Sequence, residues 1–242
     1  MWLALIVGAI AGSSVFLGAL TGLNVKFREK YIAMIMAFGA GILLGAAAFE
    51  LLAESVERGG IIATTIGFLC GSIVFTSFNL YLYKKGGHKR KSSDRNPQDH
   101  SGLAIFFGTL LDAIPESIII GVNILQQGKI GWLFFIAVFI SNFPEGLSST
   151  VGLKKNGYSH TKILSMWATV FVLTGLSALA GYLFLKNAMP ETISVINAFA
   201  AGGITAMVVD TMVPEAFKKG GPLVGFITSL GLLISLVLIQ LQ

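Results

Sequence analysis

The sequence predicts an all-α, polytopic membrane protein of eight transmembrane helices, and three observations carry that prediction. Of its 242 residues, 54% are hydrophobic and only 12% charged, about half the charge of ordinary soluble domains. Apolar stretches of about 20 residues, enough to span roughly 30 Å of hydrocarbon, recur eight times along the chain. Basic residues gather in alternate breaks between them. A soluble chain of this length could not hide so much apolar surface, so lipid is its solvent.

The spans read 2–23, 31–55, 59–83, 102–125, 129–153, 161–186, 190–216 and 221–242, a single transmembrane domain over 1–242. The first has no basic leader and stays apolar for a full span, which predicts a retained helix in place of a cleaved signal peptide. Lys26, Arg28 and Lys30 follow it. The third leads into the long polar loop 84–101, with Lys84, Lys85, Lys89, Arg90, Lys91 and Arg95. Lys154, Lys155 and Lys162 follow the fifth span, and Lys218 and Lys219 the seventh. These breaks hold 14 of the 17 Lys and Arg residues; the opposite set holds Arg58, Lys129 and Lys186. The positive-inside rule puts the rich set in the cytoplasm and both termini outside, as in a multi-pass protein of the plasma (cell inner) membrane. The net charge of +5 comes from these loops and gives no sign of nucleic-acid binding. Its 29 glycines suit close helix packing in a bilayer. Cys70 stands alone, so an intramolecular disulfide is impossible.

The chain repeats itself twice. Residues 37–54, AFGAGILLGAAAFELLAE, align without gaps on 198–215, AFAAGGITAMVVDTMVPE, and DAIPES at 112–117 aligns on SNFPEG at 141–146. The pairs are spans two with seven and four with five. Each pair crosses in opposite directions under the derived topology. That is the pattern of inverted repeats, which in many transporters meet at a midplane substrate site. Recurrent small-residue packing and proline kinks offer a plainer origin.

Seven of the twelve acidic residues fall inside predicted spans beyond the first turn: Glu50, Glu54, Asp112, Glu116, Glu145, Asp210 and Glu215. Neither Lys, Arg nor His lies well inside any span to neutralise them. An ionised carboxylate at a helix centre costs about 2.5–3.5 kcal/mol on insertion scales, so a cation or protons must supply the missing charge. Asp112 and Glu116 are four apart and share a helix face. Ser141 and Glu145 repeat that spacing, with Asn142 beside them. Pro115 and Pro144 lack an N–H, which frees the carbonyls of Leu111 and Ile140. Carboxylates beside freed carbonyls offer the oxygen ligands that hard divalent cations prefer. By position, Glu50 and Glu54 fall toward the outer end of span two, and Asp210 and Glu215 toward the inner end of span seven. A cation passing along them is one reading; for Glu54 and Glu215, interfacial solvation is the other.

At these residues the sequence resembles the ZIP (Zrt/Irt-like) family of metal transporters. Family members carry an H-N-x-P-E-G-like element on the fourth span and H/Q-E/D-x-P-E-G on the fifth. Here they read Asp112-Ala113-Ile114-Pro115-Glu116-Ser117 and Ser141-Asn142-Phe143-Pro144-Glu145-Gly146. The resemblance implies a primary metal site of Asp112, Glu116, Ser141 and Glu145, with Asn142 bordering a second. It also implies a homodimer moving Zn²⁺, Mn²⁺ or Fe²⁺ toward the cytoplasm while its inverted repeats slide or rock. Asp112 stands where the family usually has His, and Ala113 where it has Asn. Oxygen ligands alone shift selectivity away from Zn²⁺, which is usually held by His or Cys, toward harder ions.

Two other functions share these residues. A proton-coupled transporter or channel for another substrate would use the same carboxylates. An intramembrane protease would need Asp112 and Asp210 as an acid pair, yet the G-x-G-D context is missing. The chain also lacks a GxxxxGK[ST] phosphate loop and so carries no ATPase of its own. A transporter without cofactor, not an enzyme, is the expectation.

Overall fold

Lipid offers no hydrogen-bond partner, so an apolar segment satisfies its backbone along its own helix. The computed structural model is helical accordingly, and describes residues 1–25, 27–84 and 101–241. In chain order it has α1 (Trp2–Asn24), α2 (Glu29–Gly45), a π-helical segment (Ala46–Leu52), α3 (Ala53–Lys84), α4 (Ser101–Gln127) and α5 (Trp132–Lys155). Then come α6 (His160–Phe184), α7 (Pro190–Met207), a second π-helical segment (Val208–Met212), α8 (Val213–Gly220) and α9 (Leu223–Gln240). Residues 85–100 of the predicted cytoplasmic loop lie outside the described residues. So does Lys26.

Among the described residues, seven helical stretches are long and apolar enough to cross a membrane. The second, Glu29–Tyr81, has 53 residues, about 80 Å of helix at 1.5 Å per residue, against roughly 30 Å of hydrocarbon. It breaks at Gly60, with φ 75° and ψ 169°, a region essentially restricted to glycine. Packing partners show what the break does. Gly67 lies against Val195 and Ala198, and Gly71 against Phe199, so α3 runs in the direction of α7. Helix α2 runs opposite to α5, with Gly39 at Ser141 and Glu50 at Phe134. Helix α5 runs opposite to α4, where Thr109 meets Glu145 and Glu116 meets Asn142. Helix α4 runs opposite to α7, since Gln126 meets Asn197 while Glu116 and Met207 line one cavity. Helices α2 and α3 therefore point in opposite directions, and the chain turns back at Gly60.

Two packed groups result, joined mainly where α2 meets α5. In one, α1 packs on α5 and α6, and α4 on α6. Small residues let the backbones touch: Gly18 against Phe143, Gly146 against Val15, Gly121 against Ala178. Trp167 is fully buried there and donates its indole N–H to Thr150 Oγ1 at 2.8 Å. In the other group, α3 packs on α7, and α2 on α8 and α9.

The repeat extends further than 37–54 and 198–215. Both copies pass through a π-helical segment ahead of an acid that pairs one turn on. Glu54 meets Arg58 at 2.6 Å, and Glu215 meets Lys219 at 3.0 Å. At the same spacing beyond, Gly60 and Gly221 both take positive φ, 75° and 70°. The reversal that ends α2 has its counterpart between α8 and α9.

Candidate metal centre

Each carboxylate inside a span needs donors, and the helices supply them from their neighbours. Asp112, Glu116, Asn142 and Glu145 are all buried. Glu145 on α5 accepts from Thr109 Oγ1 of α4 at 3.0 Å. In the other direction, Asn142 Nδ2 of α5 reaches Glu116 Oε2 of α4 at 3.4 Å. These two crossings fix the register of the antiparallel pair and place Glu116 and Glu145 at one interface, with Asp112 one turn before Glu116 on α4. Both helices continue past their prolines, Pro115 and Pro144.

Ser141 is placed differently. Its hydroxyl donates to the Val138 carbonyl of its own helix at 3.0 Å, and its backbone packs on Gly39 of α2. It belongs to the α2–α5 seam, beside the acid cluster. Among the described residues, no three His, Cys, Asp or Glu side chains converge closely enough to hold a metal ion. The acids share an interface without forming a closed cage.

A cavity of about 260 Å³ opens between α3, α4 and α7. Asp112 and Glu116 reach it from α4, Phe75 and Phe78 from α3, and Ile204 and Met207 from α7. One side of the acid cluster is thereby open, while the side toward α2 is packed shut.

The four outlying acids are each anchored separately. Glu50, leaving the first π-helical segment, is buried. It accepts from Asn123 Nδ2 of α4 at 3.0 Å and from the backbone N–H of Phe134 at 2.8 Å. Phe134 lies in the first turn of α5, whose unsatisfied N–H groups and positive dipole end favour a carboxylate. Glu50 thus caps a helix that is not its own. Glu54 and Glu215 sit half-buried in their ion pairs. Asp210 is exposed and receives Asn79 Nδ2 of α3 at 3.4 Å.

Three donors that sequence reasoning passed over, Thr109, Asn123 and Asn79, each serve one of the predicted acids. A signal existed for the first two. Thr109, Asp112, Glu116 and Asn123 stand three, four and seven apart, a polar stripe down one face of an otherwise apolar helix.

Comparison with known proteins bears on the family. The model of the family "ZIP Zinc transporter" matches residues 83–239, from the end of α3 almost to the end of α9. An Arabidopsis thaliana protein named "Putative zinc transporter At3g08650" is 25% identical over 209 residues, which are 85% of this chain and 33% of that protein. The chain therefore spans about a third of its relative's length. With the family's model covering well over half of its residues, including both Pro-Glu elements, the chain belongs to the ZIP zinc transporter family.

Proposed function

We propose that the chain carries divalent cations of the Zn²⁺, Mn²⁺ and Fe²⁺ type across a plasma membrane toward the cytoplasm. Asp112, Glu116, Asn142 and Glu145 form the midplane site, with Ser141 at its border. The observation that carries this reading is the α4–α5 interface. It brings carboxylates from two helices together, with Thr109 donating to Glu145 and Asn142 to Glu116, and neither α4 nor the buried length of α5 supplies a Lys, Arg or His. A dication provides the charge that such a site needs.

Eight passes belong to the same reading, supported by the reversal at Gly60, with both termini outside. Glu50 and Glu54 then stand near the outer face, and Asp210 and Glu215 near the inner one. Helix capping makes Glu50 a fixed part of the outer wall; Asp210, exposed beside Asn79, suits a transient stop for the ion. The chain works as a homodimer, as the family resemblance implies.

Uptake of Mn²⁺ and Zn²⁺ into proteoliposomes tests it. Glu116→Gln and Glu145→Gln remove charge with almost no change in volume. Each is expected to lower uptake at least tenfold while the protein stays folded and monodisperse. Wild-type uptake in both variants overturns the site. A proton flux that needs no metal points to a carrier of another substrate.

A further inference from the structure

Where the end of α4 meets the start of α7, three elements bring four oxygen-bearing side chains to one junction. Glu50 comes from the first π-helical segment, which packs on α7. Asn123 and Gln126 come from α4, three apart on one face, and Asn197 from α7. Asn123 Nδ2 donates to Glu50 Oε1 at 3.0 Å, and Asn197 Nδ2 to Gln126 Oε1 at 3.4 Å. The amide nitrogens are thereby engaged and the amide oxygens are left over. Asn123 and Asn197 are each 1% exposed, yet among the described residues neither side-chain oxygen has a hydrogen-bond partner. A buried acceptor without a donor is costly and rare, so the junction calls for a ligand that brings donors. Helix packing alone does not explain the amides. At the spacings of the two repeats, Asn197 answers to Met36 on α2 and Asn123 to Gly152 on α5, both buried. The other copy folds with no amide at either place.

We propose that this junction is an entry station for a hydrated divalent cation, whose water shell donates to the side-chain oxygens of Asn123 and Asn197. Small hard ions give up their shell reluctantly, so amide oxygens that hold the shell capture the ion before it is stripped. Anions are disfavoured beside Glu50 and two carbonyl oxygens. Position supports the role. Asn123 stands seven residues beyond Glu116 on the same face, about 10.5 Å along α4. Ile119 and Ile120, 2% and 3% exposed, lie between, so one apolar turn parts the station from the acid cluster. Gln126, at the rim, is half-buried. Beyond it the chain turns at Gly128 and Lys129, both exposed, where water and salt screen the lysine's charge. The capture role rests on the proposed transport and its orientation; the binding of a hydrated ion does not.

Hexaamminecobalt(III) is the probe. Its ammine shell donates hydrogen bonds as a hydrated ion's does but does not exchange, so the complex cannot be ligated directly by the acids. With the full chain in phosphatidylcholine nanodiscs, and empty nanodiscs subtracted, titration calorimetry should show saturable binding of about one complex per chain. Asn197→Leu removes one buried oxygen at nearly constant volume, and its former partner Gln126 is half-buried and can turn to water. Binding should weaken at least tenfold with an unchanged melting temperature. Asn123→Leu serves if that variant misfolds. Glu116→Gln should bind the complex as the wild type does. In proteoliposomes, Asn197→Leu should raise the KM for Mn²⁺ at least fivefold and leave kcat within twofold; a purely structural role would lower kcat instead. No binding, binding that survives both asparagine substitutions, binding lost in Glu116→Gln, or an unchanged KM in both asparagine variants overturns the proposal. A chain whose binding is lost in Asn197→Leu but which moves neither Mn²⁺ nor Zn²⁺ defeats the transport reading and leaves the site standing. A chain that transports metal but binds no complex does the reverse.

Discussion

Two regions that the repeat makes equivalent are packed in opposite ways. Gly39 and Ala200 hold matching places in its two copies, and so do Ser141 and Asp112 in the shorter pair. Gly39 lies hard against Ser141, where a Cβ would stand 2.9 Å from the Ser141 Cα. Ala200 and Asp112 both line the cavity of about 260 Å³. One seam is shut and its counterpart is open. Related sequence thus supports two packings of the same helix pair. Close-packed interfaces tend to switch between discrete arrangements and not to deform gradually, and the proposed transport requires these two seams to exchange.

Cross-linking is the strongest way to break that comparison. In a Cys70→Ser background, Gly39→Cys with Ser141→Cys should form a disulfide rapidly. A Cβ on Gly39 would lie 3.4 Å from that of Ser141, close to the roughly 3.5–4.5 Å a disulfide needs. Once formed, it should reduce metal uptake to background, and reduction should restore it. Ala200→Cys with Asp112→Cys should cross-link slowly, through a state in which the crevice has closed. If the second pair never reacts, the seams do not exchange.

Bulk at the matching glycine and alanine gives a smaller contrast. Gly39→Leu overpacks the shut seam and should destabilise by about 1–3 kcal/mol, seen as a lower melting temperature in detergent. Ala200→Leu enters open space and should leave that temperature within a degree or two. Equal losses would mean that the crevice is filled in the membrane.

The smallest effect probes the ends of the repeat, where the two copies should agree. Gly60→Ala and Gly221→Ala each place a Cβ at positive φ, 75° and 70°, for about 1–3 kcal/mol of strain. Neither position has a neighbour that a Cβ would strike, so the loss is conformational and should be similar at both. A loss at Gly60 alone would show that the turn after α8 has other support.

Much of this was legible in sequence. Apolar length gave the helices, and spaced acids beside Pro115 and Pro144 gave the interface between α4 and α5. Ser141 was not legible as a seam residue, because four-residue spacing to Glu145 says nothing about which neighbour the face meets. Glu50 and Glu54 show a second limit. Their spacing puts them on one face of an α-helix, but the π-helical segment runs through Leu52 and turns that face. Glu50 goes to the end of α5 and Glu54 to Arg58. No local composition announces a π turn; it follows from what the neighbouring helices demand of the backbone.

Those two wide turns have a mechanical consequence. A π turn holds one residue more than the α turn it interrupts, so it is a dislocation in the hydrogen-bond ladder. Such a fault can migrate by exchanging one bond at a time, as a ruck travels along a carpet. Each step carries one residue across the fault and turns that residue's side chain by about 100°, its share of a 3.6-residue turn, without ever severing the rod. The segments at Ala46–Leu52 and Val208–Met212 lie in the two spans that the repeat pairs. Either half of the molecule therefore carries its own means of re-facing a few side chains while the rest of the span stays put.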